Sequence, residues 1–270
     1  MTPAPQAVFV TLVGAGPGDP ELLTLKAVKA LQQATVILVD DLVHPDVLAH
    51  ANPQARIVQV GKRGGCQSTP QAFIEKLMAQ EALAGENVVR LKGGDPLIFG
   101  RAGEEIAYLQ SQGVGVNIVN GVTSGLAAAH TLGLSLTHRN YSHGAVMVTG
   151  HSPSSQTNIT SIDWEMLGRT AHACHLTLVI YMGVTTAEEL QNALLKSMPP
   201  NTPVAVVQNA SKSNQRSVMG SLSALHTLIQ EAGVVSPAIV LVGDVLLTLQ
   251  DFNHVNNRSH EIYSLVRAAN

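Results

Sequence analysis

Residues 88–105 read VVRLKGGDPLIFGRAGEE, and the order of residue types in this stretch decides the fold. The apolar beginning favours a buried strand. Gly93 and Gly94 then let the backbone bend sharply or approach a ligand closely, because glycine has no Cβ. Asp95 and Arg101 add an acid and a base, and the two closing glutamates favour a helix start, where the helix dipole stabilises acids. This order is typical of small-molecule sites in α/β proteins, and equally of a plain strand-to-helix connection.

A second glycine loop, GAGPGDP at residues 14–20, lies nearer the N-terminus, between a strand pattern at 7–13 and a helical pattern at 21–33. The loop lacks the GxGxxG spacing of dinucleotide-binding proteins. Pro17 removes one backbone N–H and stiffens the turn, which disfavours a phosphate-binding loop. The pattern therefore predicts a stiff loop lying against a flat ligand, with a rigid strand-to-helix turn as the alternative.

The rest of the first 120 residues alternates strand and helix patterns, which predicts a mainly parallel sheet. Further strands are expected at 35–39, 56–60 and 116–119. Thr69 as N-cap and Pro70 as first helical residue predict a helix that begins there, runs to about Ala84 and ends at Gly85.

The second part of the chain has more strand patterns, and some antiparallel pairing is expected. Strands are predicted at 145–149, 176–181, 204–207, 217–219 and 238–242, and helices at 124–132, 186–197 and 223–232. A turn-rich hinge near residue 120 separates two α/β domains, residues 1–120 with a mainly parallel sheet and 121–250 with a mixed sheet. Residues 152–160 are expected to form a mobile loop, and 251–270 a helical or loose tail.

The composition narrows the class of protein. The 270 residues are 45% hydrophobic, which predicts a folded globular chain. Only 3% are aromatic and the net charge is −3, which argues against a nucleic-acid-binding surface. Two cysteines, Cys66 and Cys174, are too few for a disulfide framework, and the histidines lack ligand spacing, so no metal site is expected. Neither a signal peptide nor a membrane span is apparent, which favours a cytoplasmic protein.

Six motifs occur in a recognisable order. They are GAGPGDPELLT (14–24), VGKRGG (60–65), the 88–105 stretch, SLTHRNY (135–141), TGH (149–151) and YMG (181–183). In order and spacing they resemble the tetrapyrrole methyltransferases over roughly residues 8–245, and within that family the branch that methylates uroporphyrinogen III. The combination of LKGGDPLIFGR with the proline-glycine loop and YMG is specific.

The resemblance implies a fold, a cofactor and a reaction. The two α/β domains would have a ligand cleft between them, and the protein would be a homodimer. S-adenosylmethionine would be the methyl donor, held folded. Two methyl groups would be transferred to uroporphyrinogen III, giving precorrin-2 for siroheme and cobalamin synthesis.

The resemblance also assigns roles to individual residues, carried over position by position. The donor-binding set is Pro17, Gly93, Gly94, Asp95, Ile98, Thr123, Ser124, Met182 and Ala210. The catalytic candidates are Asp40, as the base that removes a ring proton, and Lys62. The cations expected to pair with the carboxylates of the substrate are Arg63, Arg101, His138 and Arg139.

Five positions depart from the family pattern. Asn120 replaces the hinge proline, Asn140 an aspartate and Val39 a tyrosine, while Ser124 and Ala210 stand where alanine and glycine are usual. None of these changes removes a charged group that the chemistry needs, so they bear on affinity and hinge stiffness.

Three other functions compete with this one. One is a methyltransferase that acts later in corrin synthesis, and another is a protein that binds the donor without catalysis. The third is a nicotinamide oxidoreductase, against which Pro17 and the missing third-spaced glycine argue. The retained Asp40, Lys62 and Arg101 argue against a non-catalytic binder.

Overall fold

The structure, a computed structural model, describes residues 8–61, 69–151, 161–249 and 264–265. The chain divides into two compact units, Met1–Ser124 and Gly125–Asn270. The first contains a parallel sheet and the second a mixed sheet, each with helices, so the predicted class of two α/β domains is confirmed. None of the helices in the described residues combines the length and the apolar character needed to span a bilayer.

Strands and helices alternate through the first unit. Its elements are β1 (Phe9–Gly14), α1 (Leu25–Gln33), β2 (Val36–Val39), β3 (Arg56–Gln59), α2 (Gln71–Leu83), β4 (Val88–Lys92), α3 (Ala102–Ser111) and β5 (Gly115–Val119), with short 3-10 helices at Pro20–Leu22 and Pro45–His50. The five strands lie in the order β3-β2-β4-β1-β5, and every pair is parallel. The carboxyl ends of all five therefore lie at one edge of the sheet.

Both faces of this sheet are covered, which explains why β2, a central strand with the sequence VILV, is apolar throughout. Successive residues of β2 point to opposite faces. Val36 and Leu38 pack in the core with α2 and α3. Ile37 and Val39 pack in the second core with α1.

Two helices begin later than the sequence predicts. The 21–33 pattern is a 3-10 turn followed by α1, which starts at Leu25 because the Thr24 hydroxyl accepts a hydrogen bond from Ala27 N over 3.1 Å. Helix α2 starts at Gln71, and its N-cap is Pro70, which provides no side-chain cap. The prediction of Thr69 as N-cap with Pro70 as the first helical residue is therefore wrong.

The second unit has a mixed sheet. Its elements are α4 (Ser124–Thr131), which begins at the unit boundary, β6 (Gly144–Thr149), α5 (Trp164–Ala173), β7 (Leu176–Tyr181), α6 (Ala187–Leu194), β8 (Pro203–Gln208), β9 (Arg216–Ser221), α7 (Leu225–Glu231), β10 (Ala238–Val242) and β11 (Ser264–Leu265), with short 3-10 helices at Leu222–Ala224 and Asp244–Thr248. The strand order is β11-β9-β8-β10-β7-β6. Only β6 and β7 pair in parallel among these strands, so the predicted antiparallel pairing is confirmed.

Helix α5 is not predicted by the sequence pattern. It begins after Asp163, whose carboxylate accepts a hydrogen bond from Met166 N over 2.9 Å. The predicted mobile loop at 152–160 lies outside the described residues. So does most of the predicted tail at 251–270, of which residues 264–265 form β11 and pair with β9.

Candidate active site

The two glycine loops of the first unit are joined by their backbones. Gly16 and Gly94 form an isolated antiparallel bridge. Gly94 N donates to Gly16 O over 2.7 Å, and Gly16 N donates to Gly94 O over 3.2 Å. Both residues have a left-handed φ, of 72° and 68°, which a residue with a side chain adopts only with strain. The loop after β1 and the loop after β4 therefore form one rigid surface at the carboxyl edge of the sheet.

A third loop, which follows β5, packs against these two. A Cβ on Gly14 would lie 2.5 Å from Gly121 N and 2.7 Å from Gly94 O, and a Cβ on Gly121 would also collide with Gly94 O. Both positions therefore require glycine. The glycine junction, defined as Gly14, Gly94 and Gly121, brings three loops within backbone contact.

Asp95 holds this junction together. Its Oδ2 accepts a hydrogen bond from Gly121 N over 3.1 Å, and its Oδ1 accepts one from Leu97 N over 2.8 Å. The carboxylate thus links the loop after β4 to the loop after β5. Each oxygen has a further lone pair that a ligand can use, so a donor-binding role is compatible with this structural role.

The remaining first-unit members of the predicted donor-binding set lie around the junction or in the loop after it. A Cβ on Gly94 would lie 3.8 Å from Ser124 N and from Thr123 Cα, so these residues are neighbours. Thr123 is buried, whereas Pro17 and Ile98 are half-buried.

Gly93 packs differently, because its Cβ would lie 2.8 Å from Leu42 Cβ. That contact joins the loop after β4 to the segment after β2. The first unit thus brings together the glycine loops and the segment that carries Asp40.

Met182 and Ala210 lie at one edge of the second sheet. Tyr181 at the end of β7 and Val207 near the end of β8 both pair with Ile239 of β10, so the two chain segments that follow these strands flank β10 at the same edge. Met182 has a φ of 56° and is 47% exposed, an unusual state for a large apolar residue. Ala210 is buried.

Asp40 lines a pocket at the carboxyl edge of the first sheet. The pocket has a volume of about 330 Å³ and is also lined by Asp41, Val43, Leu48 and Gln59. The Asp40 side chain is 29% exposed, so it reaches both the pocket and the protein interior. A group that must receive a proton from a ligand needs this combination of access and fixed orientation.

Behind Asp40 lies a buried charge network, which consists of Asp40, Arg90, Lys92 and Glu105. Arg90 Nη2 donates to Asp40 Oδ1 over 2.5 Å, and Arg90 Nε donates to Glu105 Oε1 over 3.2 Å. Lys92 Nζ lies 3.0 Å from both oxygens of Glu105. Arg90 is 2% exposed, Lys92 4% and Glu105 0%. The two positive and two negative side chains of the network therefore neutralise one another inside the first unit.

The network members come from elements that the fold places side by side. Arg90 and Lys92 are two apart on β4, so both point to the face that α2 and α3 cover. Burial lowers the pKa of Lys92, and the positive charge of Arg90 lowers it further, while Glu105 opposes this shift. Sequence motifs do not single out Arg90, Lys92 or Glu105 as functional residues. The available signal was a pair of cations at alternate positions of an otherwise apolar strand.

The predicted substrate cations are found in different settings. Arg63 lies outside the described residues, and so does Lys62, the second catalytic candidate. Arg101 precedes α3 with a φ of 56°, and its guanidinium makes two hydrogen bonds to Glu104, over 2.9 and 2.5 Å. That hydrogen bonding raises the pKa of Arg101 and lowers the pKa of Glu104. Both side chains are more than half exposed, so the pair contributes little to stability.

His138 and Arg139 lie in a tight turn of the second unit. His138 forms a backbone bridge with Ser142, and its ring lies 5.0 Å from the ring of Tyr141. Arg139 is exposed at the tip of this turn. Within the described residues, no group of three His, Cys, Asp or Glu side chains is placed to hold a metal ion.

Comparison with known proteins gives consistent matches. A family model described as tetrapyrrole (corrin/porphyrin) methylases matches residues 10–226. A uroporphyrinogen-III C-methyltransferase of Pseudomonas aeruginosa is 51% identical over 240 residues, which cover 87% of this chain and 93% of the relative. A siroheme synthase of Pectobacterium atrosepticum is 43% identical over 88% of this chain, but the chain spans only 50% of that protein.

A solved structure of a protein from the same group is also similar to this chain. The crystal structure of a uroporphyrin-III C-methyltransferase from Thermus thermophilus, complexed with S-adenosylhomocysteine, has a TM-score of 0.73 and 40% identity to this chain. The match covers 88% of this chain and 99% of the crystallised one.

Proposed function

Because the chain belongs to the tetrapyrrole (corrin/porphyrin) methylases, we propose that it transfers methyl groups from S-adenosylmethionine to uroporphyrinogen III. The observation that carries this function is the 51% identity to a uroporphyrinogen-III C-methyltransferase over nearly the full length of both chains. The Thermus thermophilus structure with S-adenosylhomocysteine supports the choice of donor. The similarity to the uroporphyrinogen enzymes favours this substrate over a later corrin intermediate.

The glycine junction fits a donor-binding role. Glycine loops present backbone N–H and C=O groups without side chains in the way, so a ligand with many polar edges can approach closely. Gly94 has a left-handed φ of 68° and is fixed by its bridge to Gly16, so its peptide groups are oriented before any ligand binds. Ile98 is half-buried in the loop that follows and offers apolar cover.

The chemical step requires positioning more than activation. The bound donor supplies an electrophilic methyl group on a sulfonium, and a pyrrole carbon is already electron-rich. Orienting the two reactants correctly is worth up to about 7–11 kcal/mol in favourable cases. Asp40, which lines the pocket beside β2, is the residue we assign to the removal of the ring proton afterwards.

The substrate carboxylates need cations. Arg101, His138 and Arg139 lie in loops or turns. Arg101 and Arg139 are exposed to solvent. Arginine binds carboxylates through two parallel N–H donors. Lys62 and Arg63 complete the proposed set, with Lys62 as the second catalytic candidate. We also propose that two successive methyl transfers give precorrin-2, which other enzymes then convert to siroheme or cobalamin. The protein is further proposed to be a homodimer and to be located in the cytoplasm.

The test is methyl transfer with a labelled donor. Purified protein is incubated without oxygen with S-adenosylmethionine carrying a labelled methyl group and with uroporphyrinogen III. Mass spectrometry of the tetrapyrrole is expected to show two added methyl groups. A parallel incubation replaces uroporphyrinogen III with a later corrin intermediate, and label in that intermediate alone would contradict the proposal in favour of the later-acting enzyme. Binding of the donor with no label in any tetrapyrrole would indicate a non-catalytic donor-binding protein.

A further inference from the structure

We propose that Arg90, supported by Glu105, is a positioning residue that holds the Asp40 carboxylate in its catalytic orientation. This inference rests on the proposed function, because it gives Asp40 a role in proton removal. Asp40 and Arg90 are 50 residues apart in sequence, and their hydrogen bond is the point where the buried charge network reaches the pocket.

Arg90 is held from three directions. Its Nη2 donates to Asp40 Oδ1, its Nη1 donates to Leu38 O over 3.4 Å, and its Nε donates to Glu105 Oε1. The guanidinium is planar and its donors have a fixed geometry, so three acceptors in different directions define its orientation. A side chain that is 2% exposed and fixed in this way also fixes the carboxylate that it contacts.

Glu105 is in turn held by other residues. Lys92 Nζ contacts both of its oxygens, and Gln71 Nε2 donates to Oε1 over 3.2 Å. The chain of contacts therefore runs from the start of α2 and from α3 through Arg90 to the end of β2. Lys92 supplies the fourth charge, so that the interior has no net charge to solvate.

Stability alone is a weak reason for this arrangement. Removing charged groups from water is costly, and buried ion pairs are often no more stabilising than apolar residues of similar volume. The surrounding core is made of such residues, including Val88 and Ala102. The network ends at a partly exposed carboxylate in a pocket, where orientation serves chemistry.

The test is a double-mutant cycle on turnover, with Arg90→Lys, Asp40→Asn and the double variant. Asp40→Asn is expected to lower kcat roughly 100-fold, as for loss of a general base. Arg90→Lys keeps the charge but loses the forked geometry, so we expect kcat to fall about tenfold with KM for both substrates within about twofold. In the Asp40→Asn background, Arg90→Lys should change kcat by less than about twofold, because it acts only through Asp40.

Two further variants separate positioning from folding. Glu105→Gln keeps Arg90 but weakens its support, and it should show the same loss of kcat and the same non-additivity with Asp40→Asn. Arg56→Met is the matched control, because it removes an ion pair of the same sheet in which Arg56 is half exposed and pairs with Glu81. That control should leave kcat unchanged. Affinity for S-adenosylhomocysteine, measured by calorimetry, should stay at the wild-type value in all variants.

The outcomes distinguish the two proposals. If the wild-type protein transfers no methyl group to uroporphyrinogen III, the proposed function fails and the positioning role fails with it. If the wild-type protein is active, losses in kcat that multiply in the double variant overturn the positioning role alone. The same conclusion follows if Asp40→Asn leaves kcat unchanged, or if Arg90→Lys and Glu105→Gln weaken S-adenosylhomocysteine binding as much as they lower kcat.

Discussion

Arg101 has a left-handed backbone conformation, which glycine adopts most readily, and a guanidinium side chain, which binds carboxylates. Its φ is 56° and its guanidinium is bound by Glu104 at the surface. Arg101→Gly therefore removes the guanidinium without adding backbone strain. We expect KM for the tetrapyrrole to rise at least tenfold, since hydrogen bonds to charged groups contribute roughly 1.5–3 kcal/mol each. The dissociation constant for S-adenosylhomocysteine should not change.

Glu104→Gln is the control for this variant. It weakens the partner of Arg101 but leaves the guanidinium free to bind a substrate carboxylate, so KM should not rise. Steady-state kinetics and calorimetry on the two variants supply both quantities. A larger effect of Arg101→Gly on donor binding than on KM would place Arg101 on the donor side.

Among the elements, the glycine loops are the ones whose geometry leaves least room for change. Gly121→Ala would push a Cβ into Gly94 O, and we expect it to cost about 1–3 kcal/mol of unfolding free energy and to weaken S-adenosylhomocysteine binding. Gly103→Ala in α3 is the matched control, because a Cβ there meets nothing within 4 Å. It should stabilise the chain by about 0.5–1 kcal/mol and leave binding unchanged.

Urea denaturation and titration with S-adenosylhomocysteine measure both effects. Tight binding by Gly121→Ala, at an unfolding free energy equal to that of the wild type, would show that the loops can separate without consequence. That result would remove the glycine junction from the account of donor binding.

The helices and strands also show which features of the fold the sequence patterns can predict. The sequence predicts strand β7 with its observed bounds, because a short apolar run between polar segments is typical of a buried strand. Helix α5 was missed, since its start depends on Asp163 capping Met166 N rather than on an apolar period. The start of α1 at Leu25 was set by Thr24 in the same way. Local capping bonds decide such boundaries, and an apolar pattern does not contain them.

Only some of the charged residues of the site could be predicted from the sequence. Asp40 was selected from its family setting, but its partner Arg90 is 50 residues away in a strand that looks apolar. Likewise, the sequence predicts a donor contact for Asp95, whereas its hydrogen bond from Gly121 N depends on the packing of two loops. Contacts between distant segments arise from the tertiary fold, so a pattern in one segment does not specify them.

At the scale of the whole molecule, the buried charge network makes stability depend on pH. Burial lowers the pKa of Lys92 in the folded chain, while in the unfolded chain it has its ordinary value near 10.4. Between these two values the unfolded state binds more protons than the folded state, so the free energy of unfolding rises with pH. Below the folded-state pKa both states are protonated, and this contribution has no slope.

The comparison with Lys92→Met isolates this effect. Urea denaturation of both proteins between roughly pH 7 and pH 10 should show the wild type gaining stability relative to the variant as the pH rises. Because the two proteins differ only at position 92, the difference between their slopes belongs to Lys92. A difference that stays constant, or that shrinks with rising pH, would contradict the lowered pKa.

The glycine junction limits how this protein can be re-engineered. Gly14, Gly94 and Gly121 already are the smallest residue, so no substitution at these positions can make room for a bulkier sulfonium analogue at the proposed donor site. To fit an enlarged donor at this proposed site, a side chain beside the junction, such as that of half-buried Ile98, must be shortened while the three glycines are kept. At this proposed donor site, the side chains around the glycine junction therefore limit which larger alkyl groups the enzyme accepts.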